Sequence, residues 1–168
     1  MNTMFRRFVC ASLLVLLVPA SAVWSSDETE VIDRGRYLIR VGGCNDCHTP
    51  NYMQSPERVV EDDWLIGLPV GWYGPWGTTY AANLRLSVQT YTEDAWVEML
   101  KTRKTMPPMP WINVSHYTDA DARAVYRFIK SLGPKGEKMP LIVPPGELPK
   151  TPYFDFHIKG LPVPSSAE

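Results

Sequence analysis

The segment Cys44-Asn45-Asp46-Cys47-His48 constrains this chain more than any other. Its spacing, C-x-x-C-H, is the one that attaches a c-type haem covalently. Two residues between the cysteines put both sulfurs on one side of a short turn, where they add to the haem vinyl groups as thioethers. The next residue, His48, then reaches the iron through a ring nitrogen. Other uses of the motif fit less well. A thioredoxin-like dithiol wants a βαβ context, and none surrounds residue 44. A structural zinc site needs further ligands, and only Cys10, His116 and His157 remain.

Positions 1–22 read as an export signal. Arg6 and Arg7 precede the apolar run Phe8 to Val18, Pro19 follows, and Ala20-Ser21-Ala22 offers a small-x-small cleavage site. The run is short for a bilayer span of about 20 residues, so cleavage after Ala22 is expected. Cys10 leaves with the signal, and the mature chain keeps only the two haem-motif cysteines. Losing Arg6 and Arg7, with no acid, takes the formal charge from −1 to −3. A weakly acidic chain gives no reason to invoke nucleic acid or anionic membranes. No second apolar run of spanning length follows. Export combined with c-type haem implies the bacterial periplasm or an equivalent compartment.

Hydrophobic residues make up 45% and charged residues 21% of the 168 positions, the balance of one globular domain. A first helix is expected from about Glu28 to Val41, capped by Ser25, Ser26 or Asp27. Val31, Gly35, Leu38 and Gly42 share one of its faces. Glycine inside a helix costs roughly 1 kcal/mol relative to alanine, so Gly35 marks a close approach, expected under Val125 and Phe128. Gly42-Gly43 ends the helix. Thr118 caps a last helix carrying Val125, Phe128, Ile129 and Leu132 and stopped by Gly133-Pro134. A shorter helix is expected from Thr92 to about Lys101.

That helix leads into Thr105-Met106-Pro107-Pro108-Met109-Pro110-Trp111, whose prolines forbid a helix and stiffen the loop. A held thioether suits a sixth iron ligand, and it raises the reduction potential compared with a second nitrogen. Met109, flanked by Pro108 and Pro110, is the first choice and Met106 the second; bis-histidine ligation by His116 and an open site are the alternatives. Met53, Met99 and Met139 read as core filling.

The stretch from Asp63 to Arg85 is rich in Trp, Tyr and Gly, which suits loops around a flat apolar ligand. Trp76, Tyr80 and Arg85 are its candidate propionate contacts. Lys101, Arg103 and Lys104 are candidates for a basic docking rim, against the plainer reading of a solvated helix end. From Gly133 onward the chain holds eight of its sixteen prolines. Such a tail lies extended, pinned by Tyr153, Phe154 and Phe156, or is partly disordered.

The constellation resembles the class I cytochrome c family, and within it the mono- and dihaem cytochromes that include cytochrome subunits of periplasmic alcohol and aldehyde dehydrogenases. The resemblance rests on Cys44, Cys47 and His48, Asn83-Leu84-Arg85, Trp96, Pro107 to Trp111, and Thr118 through Tyr126. It covers roughly Asp33 to Leu132. It implies an all-α, cytochrome c-like helical domain around one covalently bound haem c. Cys44 and Cys47 would be the thioether anchors, with His48 and Met109 as axial iron ligands. The organisation expected is a signal peptide at 1–22, a cytochrome c domain at 23–133 and a proline-rich extension at 134–168. The expected function is single-electron transfer between redox partner proteins, a dehydrogenase-type donor and a respiratory acceptor such as an oxidase or another cytochrome. The rivals are a dedicated subunit of a dehydrogenase or oxidase complex, and a peroxidase-like haem enzyme with an open sixth position.

Overall fold

A computed structural model describes residues 21–158 and 160, with side chains from residue 27 onward. The first 20 residues of the expected export signal lie outside the described residues. Helix α1 (Ser21–Val41) is followed by α2 (Cys44–His48), two 3-10 turns, and strands β1 (Leu68–Gly74) and β2 (Gly77–Ala81). Then come α3 (Leu84–Ser87), α4 (Glu93–Thr102), α5 (Trp111–Ser115), α6 (Asp119–Ser131) and β3 (Tyr153–Asp155).

Helix α1 begins ahead of the expected caps, so Ser25, Ser26 and Asp27 lie within it. No glycine or proline interrupts residues 21–34, and Ser or Asp inside a helix costs only tenths of a kcal/mol. The later caps fall where the sequence puts them. Thr92 Oγ1 accepts from the Ala95 N–H (3.2 Å), opening α4, and Thr118 Oγ1 accepts from the Asp121 N–H (3.1 Å), opening α6.

The core forms where α1 crosses α6. Gly35 is the contact point: a Cβ there would lie 2.7 Å from Phe128 Cβ and would collide with the Ala124 carbonyl oxygen. Phe128 is therefore the expected partner, while the second is the backbone of Ala124 rather than the side chain of Val125. Around this crossing Ile39, Leu65, Val88, Phe128 and Ile129 are sealed from solvent. Ion pairs lace its surface, with Arg34 on Asp121 (2.9 Å) and Arg127 on Glu93 and Glu28 (3.1 Å each).

The aromatic stretch expected as loops forms a β-hairpin instead, adding a small sheet to the helical fold. Trp and Tyr suit a half-buried pleated surface, and the hairpin turns at Pro75-Trp76. Strand β1 pairs antiparallel with β2, Trp72 facing Thr79, with an irregularity between Leu68 and Trp72. It pairs parallel with β3, Trp72 facing Phe154, so the order is β2-β1-β3. The tail is thus laid along the domain. Val143 exchanges backbone hydrogen bonds with Thr78 (2.8 and 3.0 Å), and Phe154 and Phe156 pack on Trp72 with ring centroids at 5.0 and 5.5 Å.

Candidate haem site

Gly43, at φ +65° in the left-handed region that favours glycine, turns the chain from α1 into α2. The single turn of α2 delivers Cys44, Cys47 and His48 to one cleft of 580 Å³, within the size range of cofactor pockets. Its walls come from α2, β2 and the residues after it, α4, the methionine loop, α6 and residues 138–142 of the tail. They are mostly apolar: Ile39, Leu100, Val125 and Ile129 form part of the lining.

His48 is buried, and its Nδ1 lies 2.7 Å from the carbonyl oxygen of Ala82. A carbonyl only accepts, so Nδ1 carries the proton and Nε2 keeps its lone pair for a metal. Burial pushes the ring pKa down, against the Ala82 bond, which raises it; a neutral ligand imidazole is thereby favoured. Burial also pushes the Cys44 thiol up to about 11, and Cys47 rises for the same reason. Reactive dithiols are the reverse, with depressed pKa values. Both cysteines are free rather than bridged. Two free sulfurs and an oriented imidazole in one apolar cleft fit a covalently held haem.

Met106 and Met109 both line the cleft. Their loop is tied to β2 by Thr79 Oγ1, which donates to the Pro107 carbonyl (2.8 Å). His116 is exposed, is not on the cleft wall, and bonds through Nδ1 to the Ile112 carbonyl (2.6 Å).

The three propionate candidates part company. Tyr80 lines the cleft, but its hydroxyl is paired with Thr151 Oγ1 at 2.8 Å. Trp76 is off the cleft, folded over Gly74 with its ring 6.2 Å from that of Phe156. Arg85 is also off it. Its buried guanidinium donates to the carbonyls of Gly133 (2.6 Å), Asp62 (2.5 Å) and Leu132, closing the C-terminal end of α6. The charged side chains on the cleft wall are instead Arg103 and Lys138, with no carboxylate among the lining residues. Arg103 lies over the Trp111 ring (5.6 Å), while Lys101, its neighbour in the expected docking rim, is paired with Asp119. Trp96 and Trp111 also line the cleft, and each has a buried indole N–H without an acceptor among the described residues. Of the methionines expected to fill the core, Met53 is exposed and Met99 lines the cleft, as does Met139. The contribution of Met139, like that of Lys138, depends on the tail folding back, and no local spacing signals that.

The cytochrome c family model matches residues 32–133. The chain belongs to the cytochrome c family. One haem c is accordingly held covalently at the Cys44-x-x-Cys47-His48 segment of this cytochrome. It is similar to the gluconate 2-dehydrogenase cytochrome c subunit of Pantoea cypripedii, 28% identical over 124 residues. The match covers 66% of this cytochrome and 28% of that relative, so the chain spans less than a third of the relative's length. No solved structure matches it significantly. The family makes this an electron-carrying cytochrome.

Proposed function

We propose that this cytochrome carries single electrons from a dehydrogenase-type donor to a respiratory acceptor in the periplasm. The observation that carries the reading is the convergence of His48, both cysteines and the methionine loop on one apolar cleft. Haem c, when bound, supplies the one-electron Fe(III)/Fe(II) couple. His48 would give the iron its Nε2, held in aim by the Ala82 carbonyl. Met109 would give the sixth ligand, with Met106 as second choice. Thr79 Oγ1 donating to the Pro107 carbonyl (2.8 Å) and the Trp111 N–H donating to the Met109 carbonyl (2.9 Å) hold the backbone of the loop that would present the sulfur. Arg103 and Lys138 would neutralise the propionates, with the indole N–H groups of Trp96 and Trp111 as further donors.

Delivery to the periplasm rests on the signal at residues 1–22. No helix among the described residues is long and apolar enough to cross a membrane. A second reading, a fixed subunit of a dehydrogenase complex, is favoured by the name of the relative.

The test is the optical spectrum of the haem-loaded protein in both redox states, wild type beside Met109→Ala. The oxidised wild type is expected to show the near-infrared sulfur-to-iron charge-transfer band and the variant to lose it. Persistence of the band in the variant moves ligation to Met106. A high-spin wild type that binds cyanide or peroxide rapidly would overturn the carrier reading in favour of a haem enzyme. Co-purification at fixed stoichiometry with a dehydrogenase would favour the subunit.

A further inference from the structure

We propose that Asn83 is a positioning residue for His48, and that the proline-rich tail acts on the haem site through it. The inference rests on the reading of His48 as an axial ligand. The carbonyl that accepts from His48 Nδ1 belongs to Ala82, and so to the same planar peptide unit as the nitrogen of Asn83. Holding Asn83 therefore sets the direction in which the acceptor points.

Asn83 is held on every side. It is 4% exposed. Its Oδ1 accepts from the Leu86 N–H (3.0 Å) at the start of α3, and its carbonyl accepts from the Ser87 N–H (2.9 Å). Both amide hydrogens go to the tail, Nδ2 donating to the carbonyls of Lys135 (2.8 Å) and Glu137 (3.1 Å). The tail is anchored in turn by Lys135, whose ammonium donates to Asp62 (2.5 Å) and Asp63 (2.7 Å). It also backs the other support of His48. The His48 carbonyl accepts from the Gly67 N–H (2.8 Å), and a Cβ on Gly67 would lie 2.8 Å from Met139 Cγ.

A plain helix cap needs only Oδ1. The two Nδ2 bonds do nothing for α3 and join the tail to the peptide that orients the ligand. Loosening them frees the Ala82 carbonyl, weakens the Nδ1–H bond and makes the imidazole a poorer donor to iron.

The experiment is proton NMR of the reduced holoprotein, reading hydrogen–deuterium exchange of the His48 Nδ1–H. Asn83→Asp keeps the cap acceptor and removes both donors to the tail; Lys135→Met loosens the same connection from the tail side. Each is expected to speed Nδ1–H exchange at least about tenfold, while the amides of Phe128 and Ile129 exchange as in the wild type. The double variant is expected to add little to either single one, because both cut one connection. Unchanged Nδ1–H exchange in both variants, or equal acceleration of the core amides, overturns the inference. The same spectra test its foundation separately. His48 ring protons lacking the upfield shift of a residue stacked against a haem would show that the ligand assignment had failed, and the inference with it. Shifted ring protons with unchanged exchange would show that the tail connection alone had failed.

Discussion

The His48 imidazole donates from Nδ1 to the carbonyl of Ala82 at 2.7 Å, across 34 residues of sequence. The haem motif alone brings an imidazole beside the two cysteines; this bond decides which of its nitrogens keeps a free lone pair. A ring protonated at Nδ1 has its Nε2 lone pair free, and the hydrogen bond makes that lone pair the more basic.

Gly35→Ala should destabilise the holoprotein by about 1–3 kcal/mol. Alanine recovers up to roughly 1 kcal/mol of helix propensity, but its Cβ meets the backbone of Ala124, which cannot swing aside as a side chain does. Denaturant midpoints of the two proteins, compared at equal haem loading, check this. An unchanged or raised midpoint would mean that α1 and α6 separate at little cost.

Arg85→Met should cost about 3 kcal/mol, because the carbonyls of Gly133, Leu132 and Asp62 lose the buried guanidinium that binds them together. The optical spectrum of the folded holoprotein should stay unchanged, since Arg85 is off the haem cleft. Thermal unfolding and the visible spectrum on one sample separate the two effects. A spectral change at unaltered stability would return Arg85 to the propionates.

The acid limb of stability should depend on carboxylates paired at the surface. Lys135 holds Asp62 below its ordinary pKa, Lys101 does so for Asp119, and Arg34 for Asp121. A carboxylate depressed in the folded state contributes stability that is present above its unfolded pKa, near ~4. That contribution is lost as the pH falls through the lower folded value. Asp62 and Asp119 are exposed and the half-buried Asp121 pairs with an exposed Arg34, so the individual effects are small and weaken with salt. Urea midpoints measured from pH 6 to pH 2 should fall less steeply in Asp121→Asn than in the wild type. Equal slopes would show that the Arg34 pair contributes nothing.

Much of the helical frame was legible in order along the chain, because its signals are local. Thr92 and Thr118 cap helices through bonds to residues three positions ahead, and Gly35 announced a crossing that its missing side chain permits. The hairpin was not legible. Its glycines and aromatics read equally as loop, and β1 becomes a central strand only because Tyr153–Asp155 returns to pair with it. The same holds for Arg85 and Trp76. A long polar side chain near a haem motif has several partners in reach, and only packing decides among them.

By itself, then, the sequence determined the chemistry: C-x-x-C-H specifies a covalent haem through spacing that the covalent chain cannot alter. The stiff methionine loop likewise follows from prolines that restrict their own neighbours. Tertiary structure alone decided which side chains surround that chemistry. The Ala82 carbonyl at His48, Arg103 and Lys138 on the cleft wall, and the tail against Asn83 all join residues distant in sequence. Such contacts exist only once the intervening loops have closed, and their closure is repaid by burial in the assembled core.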